Sequence, residues 1–295
     1  MTFLWARNGN FYKVFAIFVP SFKLNAKDKN QTKDIYFSNS DKDMNYAIIA
    51  AGDGTRFQAE GADLPKQMMP VDGHPMLGRI LYQLTRHNAR SISVIINDRQ
   101  PETLRYLQNW SSEEHLYQLG LPESFRLRFV VKSTSSSMHS LDALREILPP
   151  GKFCLTTVDT VFDDESFSRL ISTWQNMDPR DADGLFAVTP FVDDEKPLYV
   201  DVINEVSGFG DIANFYDIPL PGKTLPVSGG IYCLDTASAY PVLERCLSEG
   251  QSKIRNFQRA LIQSGRRIRS FRFPKILDID HISDVPKAED FLRGF

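Results

Sequence analysis

The chain has 295 residues, 42% of them hydrophobic and 24% charged, with a formal net charge of −3. That length allows one or two domains with a sizeable core, and a near balance of charge without a long basic run argues against a nucleic-acid partner. Cys154, Cys233 and Cys246 lack metal-ligand spacing and are odd in number, so they read as reduced thiols of a cytoplasmic protein, and no run of about 18 apolar residues predicts a membrane span.

In chain order, the first apolar patch lies in "NFYKVFAIFVPSFKLNA", is broken by Pro20 and lacks a small-residue cleavage site, so a signal peptide is not predicted. "KLNAKDKNQTKDIYFSNSDKD" is polar and aperiodic. Residues 1–43 therefore read as a disordered extension, or as the product of a start assigned too early with Met44 the true one. From Met44, "YAIIAA" (46–51), "SISVIIN" (91–97), "RLRFVVK" (126–132) and "FCLTTVD" (153–159) have the composition of strands. Helical spacing appears in 75–88, where Pro75 suits a first turn, and in 140–148, which stops before Pro149. Further strands are predicted at 184–190, 198–203, 227–234 and 268–273, and helices at about 236–247, 253–264 and 284–293. Strand–helix alternation predicts an α/β fold over 44–295, a mixed, mostly parallel sheet flanked by helices, with a partly antiparallel second lobe.

The chemistry concentrates in "AAGDGTRFQAEGADLPKQMMPVDGHPML" (50–77). Gly52-Asp53-Gly54-Thr55-Arg56 follows the carboxyl end of a strand, where open α/β sheets bind ligands. Glycines let backbone N–H groups approach an anion closely. Arg56 adds a forked donor and Lys66, behind Pro65, a point charge, and together they describe a polyphosphate clamp. A dinucleotide fingerprint is excluded because Phe57 stands where a third glycine belongs, and no Gly-Lys-Ser/Thr of a P-loop occurs. The glycines alone would fit a plain turn; the ordered set of Arg56, Pro65-Lys66 and "PVDGHPML" does not.

This set resembles the signature of the sugar-nucleotidyltransferase family: Gly-x-Gly-Thr-Arg, then Pro-Lys, then Pro-Val-x-Gly-x-Pro-Met/Leu-Leu, here Gly52–Arg56, Pro65-Lys66 and Pro70–Leu77. The similarity is specific at this motif and continues more loosely to about residue 293; His74 stands where the family more often has Lys. The resemblance implies a Rossmann-like nucleotide-binding sheet with an inserted sugar-binding lobe. It also implies a reaction that joins a nucleoside triphosphate to a sugar 1-phosphate and releases pyrophosphate. Arg56 would hold the β- and γ-phosphates and Lys66 the α-phosphate, with nucleotide contacts from Ala51, Gly52, Gly54 and Thr55.

Such a transfer needs in-line alignment and charge neutralisation more than covalent help, and Mg²⁺ held by one or two carboxylates provides much of it. Asp159 ends a strand where the family reads Gly-Asp, with Val158 in place of the glycine. Asp278 and Asp280 lie two apart, on one face of an extended strand, and resemble the family's closing Asp-x-Asp-Thr-Pro segment with His281 in the Thr position. The expected metal pair is Asp159 with Asp278 or Asp280. The alternative for each is a turn or helix-capping acid, the role also assigned to Asp163 and Asp164.

Ser137 is either a nucleotide contact or part of a serine-rich helix start, and Met138 and His139 replace small residues of the family's turn. His139 is not needed as a general base, because a sugar phosphate is already an anion. Gly229 and Gly230 in "VSGGIYCLD" would line the sugar pocket, or mark a strand bulge. Glu195-Lys196-Pro197 matches a sugar-phosphate contact of some relatives but precedes its expected strand and is set aside. The equivalent stretch, 207–217, lacks a lysine, so the residue that grips the acceptor phosphate is open. Arg267 and Arg269 share one strand face, either solvated or an acidic-substrate or RNA contact.

The leading expectation is a Mg²⁺-dependent enzyme acting on an NTP and a sugar 1-phosphate. Its alternatives are a cytidylyltransferase for a non-sugar phosphate such as phosphocholine and, outside the enzymes, a nucleotide-sugar-binding regulatory protein. The long loop to Lys66 disfavours a molybdopterin-type transferase. A homo-oligomer is left open.

Overall fold

The computed structural model describes residues 2–7, 10–16 and 43–294. In chain order the elements are β1 (Thr2–Arg7), β2 (Asn10–Ala16), β3 (Met44–Ala50), α1 (Thr55–Ala59), a 3₁₀ turn at Lys66–Met68, β4 (Pro70–Val71), β5 (His74–Pro75), α2 (Met76–Thr85), β6 (Ala89–Ile96), α3 (Pro101–Trp110), α4 (Glu113–Gln118), β7 (Arg126–Val131) and α5 (Ser137–Leu144). Then come β8 (Lys152–Thr157), β9 (Thr160–Phe162), α6 (Asp164–Asn176), β10 (Gly184–Thr189), β11 (Tyr199–Val206), β12 (Phe209–Tyr216), β13 (Val227–Asp235), α7 (Thr236–Ser248), α8 (Ile254–Gln263), β14 (Ile268–Arg272), β15 (Ile276–Asp278) and α9 (Asp284–Arg293).

One sheet of eleven strands runs in the order β1-β2-β7-β6-β3-β8-β13-β10-β14-β12-β11. β7, β6, β3 and β8 are parallel; β13 joins β8 antiparallel, and the β12–β11 hairpin extends the sheet beyond β14. The sheet is thus the expected mixed one, antiparallel through most of its second half, where among the described residues only β10 and β14 pair in parallel, and again at the β1–β2–β7 edge. The described part of the N-terminal extension, β1 and β2, forms a hairpin whose second strand pairs with β7. For the rest of residues 1–42, the expectation of disorder lies outside the described residues.

A parallel strand buried on both faces needs apolar residues at successive positions. In β3, Tyr46, Ile48 and Ala50 pack into one core and Ala47, Ile49 and Ala51 into the other. The first core takes the apolar stripes of α2 and α6, through Leu77, Ile80, Leu84, Phe167 and Trp174. The second takes those of α5, α7 and α8, through Leu141, Leu243, Phe257 and Leu261. The helices thus cover both faces, which leaves the carboxyl ends of β3 and β8 as the open edge. All three cysteines are buried and free, with Cys154 and Cys233 opposite each other on β8 and β13. Among the described residues, no helix is long and apolar enough to cross a membrane.

Candidate active site

The glycine loop leaves β3 and is pinned from behind by three amides. Gln67, 1% exposed, donates to the carbonyls of Ala50 (2.5 Å) and Gly52 (2.9 Å). Gln100 also reaches Gly52 O at 3.2 Å, and Asn97 donates to Ala51 O at 3.3 Å and Asp53 Oδ1 at 2.5 Å. Gly54 has φ +65°, and a Cβ there would stand 2.9 Å from Lys66 Cβ. Both the left-handed backbone and the contact with Lys66 require glycine. Gly52 has open space at that position, with no atom within 4 Å, so a ligand meets bare backbone there.

Lys66 enters on the 3₁₀ turn after Pro65 and ends between two acids. Its Nζ lies 2.5 Å from Asp159 Oδ2 and 2.9 Å from Asp280 Oδ1. Arg56 reaches the other Asp280 oxygen at 2.9 Å and Glu195 at 3.6 Å. Burial works against the charge on Lys66, but the two carboxylates outweigh it and raise its pKa above the ordinary lysine value. Burial likewise opposes ionisation of Asp159, and Lys66 overcomes it, holding that carboxyl below its usual range.

Asp159 sits in the turn from β8 to β9. Val158 continues the pairing, its N–H donating to Ile49 O at 3.1 Å, and is 4% exposed in the first core. The turn is braced from below by Arg79 of α2, which donates to Thr160 O at 2.6 Å. Thr160 Oγ1 lies 2.7 Å from Thr157 Oγ1 and donates to Asp278 Oδ1 at 3.0 Å. Asp278 does not join the Lys66 cluster. It opens to the cleft, yet desolvation there and the neighbouring Asp159 charge push its carboxyl up to about 7.

These groups divide two adjoining cavities. The first, about 360 Å³, holds Gly52, Gly54, Thr55, Arg56 and Lys66; the second, about 270 Å³, holds Ser137, Ser228, Gly230, Tyr232, Gln258 and Asp278. Thr157, Asp159 and Asp280 border both. A glycine loop with Arg56 and Lys66 thus stands on one side of a two-carboxylate wall, with a polar pocket on the other.

Gly230 and Ser137 line the second cavity, but Gly229 faces away from it: a Cβ there would stand 2.3 Å from Ile276 Cδ1. The two glycines mark a bulge, since Gly229–Ile231 oppose the single residue Ala187 of β10. Ser137 is the first residue of α5, Ser136 caps that helix, and the Ser137 hydroxyl accepts from Ile254 N at 3.3 Å. The set-aside Glu195 segment lies beside the glycine loop through Glu195. Glu195 pairs with Arg56 and, at 3.3 Å, with His281, which also bonds Glu60 behind the glycine loop. Chain order hid this, because residues 193–197 form an irregular stretch before β11 that folds back beside the glycine loop. Asp163 caps α6, and Asp164 in its first turn pairs with Arg86 and His87. Arg267 pairs with Asp183 and Arg269 with Asp211, so both have structural partners. Sequence reasoning missed Gln67, Arg79 and Gln100; only the adjacency of Gln67 to Lys66 pointed to any of them.

A glycine loop with Arg56 and Lys66 beside paired acids, at the carboxyl edge of an α/β sheet, is the arrangement of a nucleotidyltransferase, and similarity to known proteins places the chain in that class. The chain belongs to the MobA-like NTP transferase domain family, whose model matches residues 46–264 and so ends before Asp278 and Asp280. It is 26% identical over 253 residues to the UTP–glucose-1-phosphate uridylyltransferase AglF of Haloferax volcanii, covering 85% of this chain and 97% of that protein. Among solved structures, the inositol-1-phosphate CTP transferase of T. maritima matches with a TM-score of 0.64 at 17% identity, covering 85% of this chain and 97% of that one. A UTP-bound UGPase from Acinetobacter baumannii matches with a TM-score of 0.67 at 15% identity, covering 85% and 93%.

Proposed function

We propose that the protein is a Mg²⁺-dependent nucleotidyltransferase that joins a nucleoside triphosphate to a sugar 1-phosphate, releasing pyrophosphate and giving a nucleoside-diphosphate sugar. The observation that carries this reading is the Lys66–Asp159–Asp280 cluster between the two cavities. It puts cationic and acidic groups where an α-phosphate would meet an acceptor.

The donor set fits magnesium. Two carboxylates already converge on one cation, the Lys66 ammonium, and Mg²⁺ is bound by one or two carboxylates completed by substrate phosphates and water. Among the described residues, no group of three or more His, Cys, Asp or Glu side chains is arranged to hold a metal by itself, so nucleotide phosphates would complete the shell. Asp159 and Asp280 would hold the ion, which supplies charge neutralisation at the transferring and leaving phosphates. The Gly52–Thr55 backbone would seat the triphosphate, Arg56 would turn from Asp280 to the β- and γ-phosphates, and Lys66 would turn to the α-phosphate. An acceptor phosphate oxygen attacks the α-phosphorus, the bond to the β-phosphate oxygen breaks, and pyrophosphate leaves. The nucleophile is already an anion, so no proton has to be removed.

The similarity to a uridylyltransferase for glucose 1-phosphate supports a sugar acceptor, and that to an inositol-1-phosphate CTP transferase keeps a non-sugar phosphate as the second reading. The test is pyrophosphate release with Mg²⁺, each of four NTPs and a panel of sugar and polyol phosphates. Release with one pair is expected. Silence across the panel with NTP binding intact would instead leave a non-sugar acceptor such as phosphocholine, or a regulatory nucleotide-binding protein.

A further inference from the structure

In the nucleotidyltransferase reading, on which this inference rests, the second cavity receives the acceptor, with its phosphate at the Asp159–Asp280 wall. Gln258 of α8 lines the same cavity and is 1% exposed. Its Nε2 donates to Ser228 Oγ at 3.2 Å, and Ser228 Oγ in turn lies 3.4 Å from the Tyr232 hydroxyl. Gln258 Oε1, also buried, has no hydrogen-bond partner among the described residues. A buried amide oxygen left unpaired is costly and uncommon in a folded protein.

We propose that Gln258 is the acceptor-specificity residue: the free end of its amide takes a hydrogen bond with a hydroxyl of the acceptor, so the acceptor is a polyol phosphate and not a phosphorylated quaternary ammonium. The conclusion holds for either orientation of the amide, which is assigned from its surroundings. Ser228 can donate or accept, so if Nε2 and Oε1 exchange places, it is a donor that turns to the cavity. A hydroxyl answers either arrangement; a trimethylammonium group carries neither an N–H nor a lone pair and answers neither. Among the described residues the walls offer no aromatic cage for such a cation, since Tyr232 is the one aromatic residue among those lining this cavity. All four acids on the wall have partners: Asp159 and Asp280 hold Lys66, Asp278 accepts from Thr160, and Asp194 accepts from the Lys196 N–H at 2.8 Å. Arg255, also on the wall, is held by Asp217 at 2.7 Å and by the Lys196 carbonyl at 2.9 Å.

Calorimetry decides the matter on the full chain with Mg²⁺, after titration of the four NTPs. The probes are glucose 1-phosphate, inositol 1-phosphate and phosphocholine. A polyol phosphate is expected to bind wild type about 10-fold or more tighter than phosphocholine. Gln258→Leu should weaken it by about 10- to 100-fold with NTP affinity unchanged. Ser228→Ala, which unseats the amide, should shift it in the same direction by less. In turnover, Gln258→Leu should raise the acceptor KM and leave the NTP KM as it was. Phosphocholine binding as tightly as the polyol phosphates would overturn the proposal, and this comparison needs no variant to fold. So would a Gln258→Leu affinity within about twofold of wild type. NTP binding without binding of any acceptor probe would overturn it while leaving the nucleotide site standing. Wild type that binds no NTP would overturn both.

Discussion

Lys66 is the residue on which the site turns, because among the described residues it alone touches both acids that face the first cavity. Removing it takes away a preorganised charge at the transferring phosphate and leaves Asp159 and Asp280 facing each other. Lys66→Ala should lower kcat by roughly 10²- to 10³-fold, the scale of losing one such donor, with a native far-UV spectrum; near-normal turnover would dismiss its catalytic role. Asp159→Asn keeps the shape of the turn and removes one carboxylate, so it should shift the magnesium titration of activity to higher concentration. An unchanged titration would move the metal elsewhere. Arg56, Lys66 and Asp159 were legible in the sequence because each belongs to a spaced motif or ends an apolar strand. Gln67, Arg79 and Gln258 were not, because they act by being buried. Periodicity treats a polar residue in a helix or turn as solvent-facing, and only the packed structure shows which one faces inward.

At the scale of elements, two glycines separate function from packing. Gly52 has room for a Cβ, whereas at Gly229 the added carbon would fall 2.3 Å from the Cδ1 of Ile276, which would have to move to admit it. Gly229→Ala should overpack the joint between β13 and β15 and destabilise the protein by about 1–3 kcal/mol. Gly52→Ala should melt like wild type and lose activity, because the methyl group fills the space a phosphate needs. Comparable melting losses in both variants would contradict this division. A second joint ties α2 to α6 through Asp164. Partial burial pushes its pKa upward, but the hydrogen bond with His87 and the charge of Arg86 outweigh it and hold the carboxyl below its ordinary value. A depressed carboxylate stabilises the fold above its unfolded pKa and loses that contribution as pH falls through its folded one. Melting temperatures should therefore fall below about pH 4, and Asp164→Asn should flatten that decline while costing some stability at neutral pH. Parallel pH profiles for variant and wild type would refute this. The strands and helices with sustained apolar patterns were read within a few residues of their ends. β12 was not: Gly210 and Asn214 interrupt its alternation, and its place in the sheet comes from pairing with β11 and β14. α3 was missed as well, since only Thr103, Leu107 and Trp110 of its ten residues are buried.

For the whole molecule, the site residues from Ala51 to Asp280 lie beyond the N-terminal hairpin, which among the described residues pairs with the sheet along β7. A chain starting at Met44 should keep its turnover. It would present β7 as an open edge, however, and such edges pair with other chains. Truncation should therefore raise self-association in size-exclusion chromatography without changing activity per folded molecule; loss of activity in the monomer fraction would show that the hairpin supports the site.

Two acids that close on a single ammonium, as Asp159 and Asp280 do on Lys66, need a counter-charge during folding, and the chain carries its own, fourteen residues after Gly52. Folding thus need not wait for a divalent ion. In the proposed reaction the ion and the nucleotide would arrive together at a pocket that is already electrically settled, and the ammonium they displace would be the one the reaction then uses.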